Sequence, residues 1–552
     1  MNRWIKRGAL ALALLAGAGI GGWYAIGGRE GLILLVASWR KPTPAPHREV
    51  AWQQGPQTPP AGRRPPNVVL ILADDMGHND ISFYGGGVDA SVPTPNIDSI
   101  GREGVSFSAG YAGNATCAPS RAALMTGRYP TRFGFEFTPT PIGFARVVGH
   151  GIGDGSHPSI YHADREAETP DVADMAVPST EVTIAALLQK AGYHTLHLGK
   201  WHLGETDATR PDARGFDESL GFYAGASMFL KADDADVVNA KQDFDPIDRF
   251  LWAALPWGVR YNGSEMFEPK GYMTDYLTDE AVKAIHANRN RPFFVYLAYN
   301  AIHTPLQATR EDFDALPGIP DHTRRVYAAM VRNLDRNVGR VLQALKDEGL
   351  DENTLVIFTS DNGGANYIGL DGLNAPYRGW KATFYEGGIR VPFFMRWAGV
   401  IQAGSTYDAP VSHFDVFATA AAAASAAIPS DRTIDGVNLL PFLAGTAAGR
   451  PHDILFWRSG PYRTVQKGRW KLQAMETPKV SYLYDLAADP SEKADVAAAN
   501  PEVVAELTAL LDAHDREQAK PIWPALFEGA INVDTPLGKP SKPGDVFIYW
   551  SN

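Results

Sequence analysis

One cysteine stands in 552 residues, which excludes a disulfide within the chain and any part for one in its stability. Positive charge is also in deficit, with a formal net charge of −11. Such a chain is a poor partner for a phosphate backbone, so no nucleic acid is expected. It exerts no long-range pull on an anion either, so any anion site must be built locally, by a metal or by basic side chains. Long apolar runs are missing everywhere except at the N-terminus. What remains is ordinary for a globular protein, 45% apolar and 20% charged residues, in a chain long enough for one large domain and a smaller one.

The N-terminal exception runs uncharged from Gly8 to Gly28, about 21 residues, behind Arg3, Lys6 and Arg7, and could just span a bilayer. Its glycines weaken it as a helix, and Ala16-Gly17-Ala18 resembles a signal-peptidase site, so a cleaved signal peptide stands beside the favoured reading of an anchor. Both readings place the remainder of the chain outside the cytoplasm, as a periplasmic or otherwise extracytoplasmic protein. Leu32 to Trp39 is too short to span and is expected in the membrane interface, with Arg40 and Lys41 at the headgroups. Residues 42–66, rich in Pro, Gln and Gly, read as an extended linker between this 1–41 segment and a domain starting at residue 67.

From there, continuous apolar runs alternate with amphipathic helical patterns. "NVVLILA" (67–73), "HTLHLG" (194–199), "PFFVYLAY" (292–299) and "TLVIFTS" (354–360) have the composition of strands buried on both faces. Helices are expected near 95–103, 181–191, 274–288 and 326–347, the last with Val326, Met330, Leu334, Val338, Val341 and Leu345 along one side. This alternation predicts an α/β fold: a large, mostly parallel sheet flanked by helices.

Each strand run ends in groups suited to metal or anion chemistry: Asp74 and Asp75, then Lys200 and His202, then His303, then Asp361 and Asn362. In an open parallel sheet the carboxyl ends of the strands share one edge, where ligands bind. Taken singly, each has a plainer reading. Asp-Asp after a strand is often a helix cap or a solvated turn, Asp361-Asn362-Gly363-Gly364 is a good turn, and a lone histidine is more often structural. Together, the oxygen donors suit a hard cation such as Ca²⁺, with Mg²⁺ second. A zinc site from His194, His197 and His202 fits by spacing only, because strand alternation sends His194 and His197 to opposite faces.

The single cysteine lies in "CAPSRAALMTGR" (117–128). Pro119 suits a first helical turn and Gly127 a helix end, which puts Cys117 at a helix N-terminus, with Arg121 one turn on. A small buried hydrophobe is the plain alternative for Cys117.

With these residues the chain resembles the formylglycine-dependent (type I), arylsulfatase-like sulfatases of the alkaline-phosphatase-like superfamily. "CAPSRAALMTGR" is similar to the family's C-x-P-S-R signature. "NVVLILADDMG", "TPNID", "AGYHTLHLGKWHLG", "RGFDESLGF", "HTPL", "SDNGG" and "WKATFYEGGIRVPF" resemble family segments, in family order. "GRWKL" and "LYDLAADPSE" resemble its small C-terminal domain, an antiparallel sheet with helix, so the catalytic domain is expected over 67–445 and the smaller one over 446–552. Asp495-Val496, where Asn-Leu is commoner, is a departure far from the chemistry.

The resemblance implies that a separate formylglycine-generating enzyme oxidises Cys117 to formylglycine, whose geminal diol attacks sulfur and then expels sulfate. It implies that Asp74, Asp75, Asp361, Asn362 and an oxygen of converted Cys117 hold a divalent cation. Arg121 would hold the diol, His202 take its proton, Lys200 and Lys381 bind sulfate, and His303 serve the leaving oxygen. The implied substrate is a sulfate monoester of an aryl alcohol or a carbohydrate. A phosphonate or phosphate monoester hydrolase, a silent glycan-binding relative and a plain cysteine hydrolase are the alternatives. Two insertions, 138–178 and 223–269, have no assignment. The second carries Phe250, Leu251, Trp252 and Trp257, as a ring-stacking wall or a membrane-facing patch.

Overall fold

The computed structural model describes residues 28–552 except Arg63, Asp154 and Thr477; the apolar stretch preceding Gly28 lies outside the described residues. Nine strands form the main sheet. In chain order they are β1 (Asn67–Ala73), β2 (Val105–Phe107), β3 (His194–Lys200), β4 (Glu218–Phe222), β5 (Arg260–Tyr261), β6 (Phe293–Ala298), β7 (Thr354–Ser360), β8 (Phe393–Arg396) and β9 (Ser405–Tyr407). Across the sheet the order is β9-β2-β8-β7-β1-β6-β3-β4-β5. The five strands from β7 to β4 are parallel, with Val68 opposite Leu355 on one side and Phe294 on the other. β8 and β5 flank them antiparallel.

Every residue of β1, β3, β6 and β7 is buried, which is why these strands are continuous apolar runs rather than alternating ones. Val69 and Ile71 face a core shared with helices Pro95–Arg102, Met273–Asn288 and His322–Asp347. Val68, Leu70 and Leu72 face the opposite core, with helices Cys117–Thr126, Ile184–Lys190 and Asp415–Ala423. The long helix starts where the Asp321 side chain accepts the Arg324 N–H at 2.8 Å, an N-cap one turn before its apolar stripe begins.

Leu32 to Trp39 forms part of a helix, Gly28–Arg40, with one face on the protein. Ile33, Leu34 and Ala37 pack on the main core, Glu30 pairs with Arg249 at 2.8 Å, and Leu32 and Trp39 point outward. Among the described residues no helix is long and apolar enough to cross a membrane. The Pro-rich segment after it has almost no regular secondary structure and lies along the body instead of swinging free as a tether. Ala45 bridges to Phe267, the buried Trp52 indole donates to Glu280 at 2.8 Å, and Arg64 reaches the Arg289 and Arg291 carbonyls.

Towards the C-terminus, β10 (Ile454–Ser459), β11 (Tyr462–Lys467), β12 (Trp470–Glu476) and β13 (Lys479–Asp485) make an antiparallel sheet. Leu507 and Leu511 of helix Pro501–Asp515 cover it. A third sheet pairs Phe527–Asn532 with Phe547–Ser551 and with Ile160–Tyr161 of the first insertion.

One buried cluster ties β12 to the main domain. Lys471 Nζ lies 2.8 Å from Glu386 and 3.1 Å from Glu492, and all three side chains are wholly buried. Burial raises Glu492 to about 7. Burial acts on Glu386 as well, but Lys471 and Arg390 hold it below its ordinary value. Lys471→Met removes the cation between two buried carboxyls and is expected to cost about 3–5 kcal/mol of stability. Denaturant melting checks this; a loss under about 1 kcal/mol would mean the cluster does not join the sheets.

Candidate active site

The carboxyl ends of four neighbouring parallel strands deliver the polar groups. β1 is followed by Asp74 and Asp75, β3 ends in Lys200 with His202 two residues on, β6 leads to His303, and β7 to Asp361 and Asn362. Helix Cys117–Thr126 brings Cys117 at its first position and Arg121 one turn later. It stops at Gly127 with φ +69°, where a Cβ would come within 2.7 Å of the Phe417 ring. Asp75, His202 and Ala382, next to Lys381, adopt left-handed backbone at φ +60°, +61° and +68°. Such conformations cost a non-glycine residue of order 1 kcal/mol and cluster where function fixes the chain.

The charges interlock. Cys117 Sγ lies 3.5 Å from Asp74 Oδ1 and 3.8 Å from Asp75 Oδ1. Lys200 Nζ donates to Asp74 Oδ2 at 2.7 Å. Arg121 grips Asp361 Oδ2 through Nε and its terminal nitrogen, both at 2.8 Å, and sits 3.5 Å from Asp74. Lys381 Nζ is 2.7 Å from Asp75 Oδ1, and Asn362 Nδ2 donates to that same oxygen at 2.7 Å. The Asp361 carboxylate accepts the Asp75 N–H at 3.1 Å. Cys117, Arg121, Lys200, Lys381 and the four ligand candidates thus meet in one place, with His202 and His303 beside them. His194 and His197 do not join them: they bond Glu218 at 2.7 Å and Ser219 at 3.0 Å within the sheet.

Burial sets the protonation pattern. Burial, then the neighbouring Asp361, raise Asp74 to about 7. Burial pushes Asp75 the same way, but Lys381, His303 and Lys200 outweigh it and hold Asp75 well below the ordinary carboxylate range. Burial and Asp361 push the Cys117 thiol up, so the unmodified sulfur is a protonated, inert thiol. Burial, with Lys200 and Arg121, keeps His202 far below its ordinary value, and burial with Lys381 lowers His303 to about 3. Both rings are therefore neutral near pH 7. The His303 Nδ1 faces the Thr304 carbonyl, which fixes its N–H there and leaves Nε2 facing Asp75 at 3.6 Å. Neither ring nitrogen of the buried His202 has a partner, and its ring lies so close to Gly225 that a Cβ there would come within 2.8 Å.

The donor set fits a divalent cation. Asp74, Asp75, Cys117 and His303 each offer a ligand atom, all within 4.8 Å of one another. Asn362 Oδ1 is buried without a partner beside them, the kind of orphan acceptor a cation satisfies. With all three carboxylates ionised, as ligation of a cation would hold them, they match three cations, Arg121, Lys200 and Lys381. A divalent ion makes it net positive, the sign an anionic ester needs.

Sequence reasoning missed Tyr367. Its hydroxyl lies 3.0 Å from both Asp75 Oδ2 and Lys381 Nζ, joining ligand cage to anion-binding lysine. It sits in a three-residue 3₁₀ turn, Asn366–Ile368, with no periodicity or spacing to mark it.

Over residues 66–426 the chain matches the sulfatase family model, and over 378–517 the C-terminal model of N-sulphoglucosamine sulphohydrolase. It is similar to N-acetylgalactosamine-6-sulfatase of Canis lupus familiaris, 35% identical over 415 residues covering 74% of this chain and 71% of that protein. It is 32% identical to steryl-sulfatase of Mus musculus over 74% of this chain and 70% of the relative. The crystal structure of Ps i-CgsB in complex with k-i-k-neocarrahexaose superposes with a TM-score of 0.69 at 33% identity, covering 83% of this chain and 95% of the other.

Tyr367→Phe removes one hydroxyl and keeps the ring. Losing hydrogen bonds to charged partners is expected to lower turnover about 10- to 100-fold with melting unchanged within about 1 kcal/mol. Steady-state kinetics beside a thermal melt check both; full activity would leave the tyrosine a bystander.

Proposed function

Because the chain belongs to the sulfatase family, enzymes that hydrolyse sulfate esters, we propose that it cleaves a sulfate monoester through formylglycine derived from Cys117, with a divalent cation in the carboxylate cage. The observation that carries this reading is the position of Cys117. It heads a helix 3.5 Å from Asp74, inside a ring of buried carboxylates, lysines and neutral histidines. An ordinary cysteine nucleophile would need a depressed pKa, and this environment raises it instead.

Asp74, Asp75, Asp361, Asn362 and an oxygen of converted residue 117 would hold the cation, Ca²⁺ on the hardness of the oxygen donors, with Mg²⁺ second. When bound, it polarises the nucleophile and neutralises sulfate oxygens. Hydrated formylglycine supplies two hydroxyls on one carbon, one to attack sulfur and one to expel sulfate. Arg121, locked on Asp361, holds the residue 117 side chain in register. His202, neutral and with both nitrogens free of protein partners, accepts the proton released when the sulfated residue collapses. Lys200 and Lys381 face the sulfate oxygens. His303 presents Nε2 to the leaving oxygen, and an anionic ester beside it favours the protonated ring that can donate.

Carbohydrates and sterols are the alcohol classes for which the relatives are named. The N-terminal basic and apolar residues support export with the N-terminal segment as a membrane anchor, and the "CAPSR" run at Cys117 supports maturation by a formylglycine-generating enzyme.

Mass spectrometry of the peptide carrying Cys117, from protein made beside a formylglycine-generating enzyme, is expected to show the aldehyde; a thiol in protein from the native host would overturn the mechanism. Matured protein should turn over 4-nitrophenyl sulfate with a kcat/KM at least about 100-fold above that for 4-nitrophenyl phosphate, and a phosphatase preference would move the chain to the phosphate-ester alternative. Asp361→Ala is expected to lose bound metal and at least about 100-fold in kcat; metal content equal to wild type would refute the ligand assignment.

A further inference from the structure

Both unassigned insertions converge above Cys117. A cavity of about 400 Å³ opens there, floored by Cys117, His202, His303 and Lys381. From the first insertion come Pro141, Phe144 and Met175, and from the second Phe250, Leu251 and Leu255. Trp550, from the third sheet, closes one side, its ring edge-on to Phe527 at 5.2 Å. These walls are braced. Phe144 and Phe250 meet edge to face at 5.4 Å. Helix Gly28–Arg40 packs on the outer side of the two wall helices, Ile142–Gly151 and Pro246–Ala254.

On the proposed sulfatase reading, we infer that the alcohol half of the substrate is an apolar, fused-ring alcohol rather than a sugar. Apart from the charged floor, the lining is mostly apolar, with Glu205, Tyr223, Arg260, Ser227 and three threonines as its polar side chains. Glu205, Tyr223 and Arg260 lie near one another, and burial raises Glu205 above its ordinary value. Thr138 Oγ1 and the Tyr223 hydroxyl expose almost no surface, so they give the cavity little hydrogen-bonding capacity. An N-acetylhexosamine brings several hydroxyls and an amide, and each one desolvated against Phe, Leu or Pro is penalised. An apolar ring system gains from the same contacts, and the cavity volume lies in the range that encloses a drug-sized body. Rigid proline and aromatic walls suit flat rings, which enter without ordering a flexible chain.

Equilibrium binding to the full-length protein tests this, with Cys117 left unconverted so that nothing is consumed and Ca²⁺ supplied. Calorimetry compares 2-naphthyl sulfate with N-acetylgalactosamine 6-sulfate, two esters carrying the same anionic group. The naphthyl ester is expected to bind at least about 10-fold more tightly, and Phe250→Ala to weaken it about 10-fold or more while leaving the sugar sulfate within about 2-fold. Leu251→Ser, at a partly exposed position, gives the same contrast should Phe250→Ala fail to fold. Equal or tighter binding of the sugar sulfate overturns the inference. The two readings fail separately. Naphthyl preference without sulfate release by matured enzyme would sink the reaction and keep the pocket assignment; sulfate release with sugar preference would do the reverse.

Discussion

Taking a carboxylate out of water costs several kcal/mol even after the surroundings relax, and this chain does it with Asp74, Asp75 and Asp361 at one edge of one sheet. The arrangement is tolerable because each acid has a cation in contact: Lys200 on Asp74, Lys381 on Asp75, Arg121 on Asp361. Much of the surrounding architecture serves that balance. Parallel strands carry the acids, Lys200 and His303 to a common edge, and the helix that begins at Cys117 carries Arg121 in from the facing layer. Tyr367 then ties Asp75 to Lys381, so an uncharged side chain helps hold the two charged groups in place.

The central sheet and the charged edge were legible because one physical condition produces both. A strand covered on both faces must be apolar throughout, so β1, β3, β6 and β7 stand out as uninterrupted runs. The first polar residue after each run marks the place where the sheet meets solvent or ligand. The end at Gly127 was legible because a glycine cap fixes it, whereas the long helix expected from Val326 begins four residues earlier, at His322, because its Asp321 cap precedes the apolar stripe. Tyr367 was not legible, because its role depends on two partners met only after folding, and a short turn has no period. The course of residues 42–66 was not legible for a related reason. Proline-rich composition predicts an extended chain, but whether it lies on a surface depends on isolated anchors such as Trp52 on Glu280. The helix at Gly28–Arg40 shows the limit of reading one face: the apolar residues expected to meet lipid include Ile33, Leu34 and Ala37, which meet protein.

Long-range joints hold the periphery to this centre. Lys471 of the C-terminal sheet lies between Glu386 and Glu492, and Glu386 also accepts from Tyr111 at 3.0 Å and Arg390 at 3.1 Å. The "WKATFYEGGIRVPF" segment therefore has Lys381 in the charged cage and, five residues on, Glu386 in the cluster around Lys471. The strand Phe547–Ser551 completes the site from a different direction, by pairing with Phe527–Asn532 and presenting Trp550 to the cavity. Residues as far apart as Asp74 and Trp550 must be in place before the site exists.

The walls above the cage come from the two insertions and the third sheet, while the charged floor comes from strand ends and one buried helix. These parts meet at the cavity but are held by different means, the floor by interlocking ion pairs and the walls by apolar side chains packed on one another. A lineage can therefore lengthen, shorten or re-clothe its insertions without disturbing the carboxylates and lysines beneath. In this architecture evolvability resides in the loops, and a new specificity can arise without a new reaction.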